Sequence, residues 1–122
     1  MGIYALKVQD TISSAHFLRH YEGKCKNLHG HNWKVQVTIA ADTVDGAGMV
    51  ADFGVLKQKL RDVLASCDHT CLNDLSFFKT HNPTTENIAR YVYEELSRAV
   101  APLTVKSVEV WESDACSVVY SP

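Results

Sequence analysis

"NWKVQVTIA", residues 32–40, sets Trp33, Val35, Val37 and Ile39 in strict alternation with Lys34, Gln36 and Thr38. A period of two puts alternate side chains on opposite faces, so this stretch predicts a strand with one face buried. Upstream, Tyr4, Leu6 and Val8 repeat the pattern more weakly and predict a partner strand. Downstream the spacing lengthens. Phe53, Leu56, Leu60, Val63 and Leu64 fall on one helical face, with Asp52 where an N-cap acceptor belongs. A second helix is predicted within "PTTENIARYVYEEL" (83–96) and beyond it, capped by Thr84, with Ile88, Val92, Leu96 and Ala99 as its buried stripe. "VKSVEVWES" (105–113) and "CSVVYSP" (116–122) then return to β-branched runs about a turn at Ser113–Asp114. The order is ββααββ, an α+β fold with a four-stranded antiparallel sheet and two helices. Such an open sheet keeps two edges and one face uncovered, a liability that assembly into a homo-oligomer relieves.

The chain has 122 residues and shows no repeat or linker, which predicts one domain over 1–122. Twelve Lys and Arg against 14 Asp and Glu give a net charge of −2, and no basic stripe interleaved with aromatics is present. That pattern argues against a nucleic-acid partner. No basic segment leads into a long apolar run, and no run approaches the ~18 apolar residues of a membrane span. A cytoplasmic protein without a membrane partner is expected. In that compartment Cys25, Cys67, Cys71 and Cys116 stay free thiols.

The chemistry gathers in "CKNLHGH" (25–31). His29 and His31, one residue apart on an extended backbone, point to the same side, while Gly30 leaves the intervening position free of bulk. Two imidazoles on one side make half of a zinc site, and a His-x-His pair alone is equally at home on a surface or in a core. A catalytic zinc takes three protein ligands and keeps a fourth position open. His16 in "SSAHFL" (13–18) offers the third, because the loop from Arg19 to Leu28 can fold the first strand back on the second.

Further along come "CDHTCLND" (67–74) with Asp68–His69, "NPTTEN" (82–87), and "VWES" (110–113) with Glu112. Together with Cys25-x-x-x-His29-Gly30-His31, this set resembles the 6-pyruvoyltetrahydropterin synthase family, and most closely its bacterial branch, the 6-carboxytetrahydropterin synthases of 7-deazaguanine (queuosine) biosynthesis. The resemblance covers nearly the whole chain. It implies the tunnelling fold, in trimers stacked as hexamers, and zinc held by His16, His29 and His31. The implied substrate is 7,8-dihydroneopterin triphosphate, converted to 6-carboxy-5,6,7,8-tetrahydropterin, acetaldehyde and triphosphate.

In the same resemblance Cys25 is the general base, favoured as thiolate by zinc and by Lys24 and Lys26. Asp68 orients His69, which moves protons on the other side of the substrate's side chain. Glu112 anchors the pterin, whose amino group and ring N–H offer two parallel donors to a carboxylate. Thr85 and Glu86 are implied substrate contacts, and either also suits a helix start. Thr85 departs from the family's more frequent serine but keeps the hydroxyl. Arg19, Lys24 and Lys26 are the cations available to the triphosphate. A pyruvoyl-forming synthase shares this machinery, and a zinc module without catalysis needs only the histidines. Elsewhere, Cys67 and Cys71 read as a core pair, Cys116 as packed in the last strand, His20 and His81 as loop residues, and Trp33 and Trp111 as packing groups.

Overall fold

The computed structural model describes residues 2–122. β1 (Tyr4–His16) and β2 (His29–Ala41) form a long hairpin, with Tyr4 opposite Ala41 and His16 opposite His29. Three helices follow, α1 (Phe53–Leu64), α2 (Ser76–Thr80) and α3 (Thr85–Val100), before the chain returns as β3 (Thr104–Ser113) and β4 (Cys116–Tyr120). The sheet runs β1-β2-β3-β4 with every neighbouring pair antiparallel. This is the order that the periodicity predicts, apart from α2, which at five residues is too short to show a helical period. Among the described residues no helix is long and apolar enough to cross a membrane.

The alternation of β2 places Trp33, Val35, Val37 and Ile39 in the core, beside Ile12 of β1 and Val105, Val108 and Val110 of β3. Leu56, Leu60 and Leu64 of α1 and Ile88, Val92 and Leu96 of α3 close over that face. The opposite face of the sheet bears Lys34, Gln36 and Thr38 and no helix, and there Lys34 Nζ sits 4.1 Å from the Trp111 ring centroid. Trp33 is thus a core residue, whereas Trp111 carries a cation–π contact on the bare face. Leu60 and Leu96, almost fully buried, are expected to cost about 2–5 kcal/mol when cut to Ala, read from denaturant melts. The Thr84 hydroxyl accepts from Asn87 N at 3.1 Å, so Thr84→Ala is expected to cost only about 1 kcal/mol in the same assay.

Phe53 and Cys116 also differ from the sequence reading. Phe53 is 58% exposed. It opens α1 beyond the sheet margin, where it lines an apolar hollow of about 360 Å3 with Tyr4 and Met49. Cys116 is exposed as well, because β4 begins past the end of the core, after a register shift between Trp111 and Ser113. Cys67 lies in the core and Cys71 is half-buried, so only one thiol of that pair packs fully. Burial pushes the Cys67 thiol up to about 11.

An edge strand exposes unpaired N–H and C=O groups. The C-terminal half of β1 and its extension are covered by residues far along the chain. Ser13 N donates to Asp68 Oδ1 at 2.8 Å, His69 N donates to Ser13 O at 2.7 Å, and Ala15 N donates to Thr70 O at 2.9 Å. Two amides then imitate a strand. Asn73 bonds both the N–H and the C=O of Phe17, and Asn82 does the same for Arg19, all at 3.0 Å. These contacts fix the path by which β1 leaves His16.

Candidate functional site

His16, His29 and His31 meet at the open end of the hairpin, on the helix-covered side of the sheet. Direct pairing of His16 with His29 in the β1/β2 register brings the first two together, and the pleat returns His31 to the same face. Their ligand-capable nitrogens all lie within 4.8 Å of one another. His16 Nδ1 stands 2.7 Å from the Pro83 carbonyl and His29 Nδ1 stands 2.6 Å from the Asn27 carbonyl. A carbonyl oxygen can only accept, so both Nδ1 atoms carry the proton and both Nε2 atoms present lone pairs. Those two Nε2 atoms face each other at 2.9 Å. Opposed lone pairs at that distance call for a cation between them, and neutral imidazoles are the donors zinc takes.

The surroundings of His16 favour its neutral ring. His16 is fully buried, and burial lowers its pKa, with the charges of His29 and His31 acting in the same direction against the Pro83 bond. Trp33 forms the floor, its ring centroid 4.9 Å from that of His16 and 5.1 Å from that of His31, both edge-on. The residues fit a three-histidine metal ion on donor type, proton placement and enclosure.

Glu112, near the end of β3, projects to the same face. Its Oε2 accepts from Thr85 Oγ1 at 3.1 Å, and its Oε1 lies 3.9 Å from His31 Nε2. Glu112, Thr85 and Glu86 line a cavity of about 230 Å3 beside the cluster, with Cys116 and Ser117 contributing from β4. Cys116 and Ser117 are site-lining residues that sequence reasoning missed. As neighbours in β4 they point to opposite faces, Ser117 opposite Trp111, and the register shift before β4 hides which of them the cavity takes.

Asp68 and His69 are bonded to each other, Asp68 Oδ2 to His69 Nδ1 at 3.0 Å. Neighbouring residues reach this geometry because His69 adopts a left-handed φ of 54°, a conformation that turns its ring back. The Ser13 amide, reinforced by His69 and opposed by partial burial, holds the Asp68 carboxyl below the usual carboxylate range. The pair sits at the β1 edge, and the His69 side chain is 82% exposed. It borders a cleft of about 690 Å3 at the β1 edge, shared with Ser13, Ser14 and Ala15 of β1 and with Gly30, His31 and Asn32 of β2.

Cys25 lies half-buried in a 3-10 turn, Lys24–Lys26, within the hairpin loop. Leu18 N donates to the Cys25 carbonyl at 2.8 Å, which ties this turn to the strand carrying His16. Among the described residues the Cys25 thiol makes no hydrogen bond. Of the cations available to a triphosphate, Arg19 gives Nη2 to the Phe78 carbonyl at 2.7 Å and Lys26 stands 3.9 Å from Glu22. Lys24 makes no ion pair among the described residues. His20 and His81 lie outside the cluster, His81 stacked on Phe77 at 4.2 Å.

The family model for 6-pyruvoyl tetrahydropterin synthase matches residues 5–122. The 6-carboxy-5,6,7,8-tetrahydropterin synthase of Synechocystis is 40% identical, over 84% of this chain and 81% of its own. That of Bacillus subtilis is 35% identical, over 91% of this chain and 80% of its own. The solved structure of Caenorhabditis elegans 6-pyruvoyl tetrahydropterin synthase superposes with a TM-score of 0.90 at 30% identity, covering 100% of this chain and 97% of that one. The ββααββ sheet is thus the tunnelling fold. With the family model spanning residues 5–122 and the topology in agreement, the chain belongs to the 6-pyruvoyl tetrahydropterin synthase family of enzymes.

Proposed function

We propose that the chain, as one domain, is a zinc-dependent 6-carboxytetrahydropterin synthase that converts 7,8-dihydroneopterin triphosphate and water to 6-carboxy-5,6,7,8-tetrahydropterin, acetaldehyde and triphosphate in queuosine biosynthesis in the cytoplasm. The observation that carries this reading is the pair of Nε2 lone pairs facing each other at 2.9 Å beside a buried third imidazole and a carboxylate-lined cavity. When bound, zinc supplies Lewis acidity toward the hydroxyls of the substrate's side chain. The chain's own groups do the rest. Glu112 accepts from the amino group and ring N–H of the pterin, with Thr85 fixing one carboxylate oxygen and Glu86 at the rim of the same cavity. Cys25 takes a proton from the side-chain carbon next to the ring, and the Asp68-oriented His69 moves protons on the opposite side.

The His69 side chain stands 82% exposed at the β1 edge, and we read a complete site as one that takes its Asp68/His69 pair from a second copy. The uncovered sheet face and the unpaired N-terminal part of the β1 edge support assembly into a ring of copies, and a hexamer of two trimers follows the family pattern. The pyruvoyl-forming reaction is the alternative, supported by the likeness to the nematode synthase at 30% identity. The two diverge after triphosphate leaves. Mass spectrometry of the pterin product, with an alcohol-dehydrogenase assay for acetaldehyde, is expected to give the carboxy product and one acetaldehyde per turnover. A pyruvoyl product with all three side-chain carbons and no acetaldehyde would reassign the reaction.

A further inference from the structure

Gly23 stands directly before the 3-10 turn that carries Cys25, and its backbone is fully extended, with φ 169° and ψ −177°. Extended backbone is open to any residue, so these angles do not call for glycine. The neighbourhood does. A Cβ at position 23 would stand 2.6 Å from Tyr21 Cε1, 3.1 Å from Cζ and 3.2 Å from Oη, because the Tyr21 ring occupies the space a side chain would fill. The turn has little else to hold it. It contains no buried residue, and no side chain caps it. Lys26 and Glu22 form a surface pair at 3.9 Å, which contributes little. One main-chain bond, from Leu18 N to Cys25 O at 2.8 Å, fixes that carbonyl and leaves the turn free to pivot about it. Within the turn, Lys26 N donates to Gly23 O at 3.2 Å and Asn27 N to Lys24 O at 3.1 Å, so the turn and Gly23 move as one unit. Whatever holds Gly23 therefore sets where the Cys25 side chain points.

We propose that Tyr21 is a positioning residue for Cys25, its ring seated on Gly23 as the second point of support that fixes the turn and aims the thiol. The inference rests on the reading of Cys25 as the general base. A base must hold the reacting proton within hydrogen-bond reach, and a misplacement of about 1 Å costs up to about 10²-fold in rate. The Tyr21 ring is 48% exposed and Gly23 is exposed, so their contact lies outside the core and its loss is felt at the thiol before it is felt by the fold. The two residues act as one contact. A methyl group at position 23 evicts the ring, and removal of the ring leaves the glycine without support, so either change undoes the same thing.

The test is a double-variant cycle on the zinc-loaded protein, with Tyr21→Ala, Gly23→Ala and both together, and Tyr21→Phe as the conservative control. Two quantities are read in each: kcat and KM for 7,8-dihydroneopterin triphosphate, and the rate at which iodoacetamide labels the peptide holding Cys25, followed by mass spectrometry. Each single Ala variant is expected to lower kcat by ~10–10²-fold with KM, zinc content and Tm near the wild-type values, and to label Cys25 faster as the half-buried thiol is freed. The double variant is expected to lose no more than the worse single one, because both changes remove one contact. Tyr21→Phe keeps the ring and is expected to restore both turnover and labelling rate. Losses that multiply in the double variant would mean two independent roles and overturn the proposal, as would wild-type kcat and labelling in Tyr21→Ala. A loss in Tyr21→Phe equal to that in Tyr21→Ala would assign the effect to the hydroxyl, which also overturns it. Full turnover in Cys25→Ala would instead defeat the general-base reading, and the positioning role would then stand or fall on the labelling alone.

Discussion

Cys25→Ala is expected to fold and to bind metal as the wild type does, while its turnover of 7,8-dihydroneopterin triphosphate falls by ~10²–10⁴. The backbone of this turn is held by contacts that alanine keeps. Leu18 N still donates to the residue-25 carbonyl, Lys26 N to the Gly23 carbonyl and Asn27 N to the Lys24 carbonyl. The thiol is half-buried and hydrogen-bonded to nothing among the described residues, so removing it leaves no stranded partner. A lost rate then belongs to chemistry. Steady-state assays on protein of verified metal content separate the two effects. Unaltered turnover in a folded, metal-loaded variant would remove the thiol from the reaction.

The second large effect concerns the metal. The His29→Ala/His31→Ala protein is expected to lose stoichiometric zinc, with affinity reduced by more than the ~10–100-fold that follows loss of an outer-shell partner. Removing two of three ligands leaves His16 alone, and one imidazole does not hold a metal ion against water. Both substituted residues are half-buried at the end of a hairpin that runs in unbroken register back to Tyr4, so the fold is expected to survive. His16 is a poorer choice for this test. It is fully buried, and its loss would strand the Pro83 carbonyl at about 1–3 kcal/mol, mixing stability with metal binding. Metal analysis after gel filtration reads the outcome, and full zinc in a folded double variant would sink the assignment.

What the sequence makes legible follows the physics of each feature. A strand buried on one face must alternate, so Trp33 to Ile39 reveal β2 unaided, and His-x-His within the same pleat reveals a shared side for two imidazoles. His16 is legible because a hairpin must bring its first strand back. Features that depend on one backbone angle or one distant contact are not. Nothing at position 69 announces a φ of 54°, yet that angle lets Asp68 bond its own neighbour. Asn73 and Asn82 are ordinary loop residues in sequence, and their role as substitute strands emerges only when Phe17 and Arg19 arrive beside them. Phe53 fits the helical stripe in spacing but stands past the sheet margin, and a periodicity carries no information about where a core ends. Cys116 is missed for the same reason.

The hydrogen bond from His16 Nδ1 to the Pro83 carbonyl joins residues 67 apart, and this separation gives the three-histidine cluster a history during synthesis. All three imidazoles belong to one hairpin, a local structure that forms quickly. The carbonyl belongs to a segment that leaves the ribosome later and must close a long loop before it docks. Until it does, His16 is free to keep its proton on either nitrogen, and its Nε2 lone pair is offered only part of the time. The tautomer that leaves His16 Nε2 free is therefore fixed only when the residues before α3 reach β1.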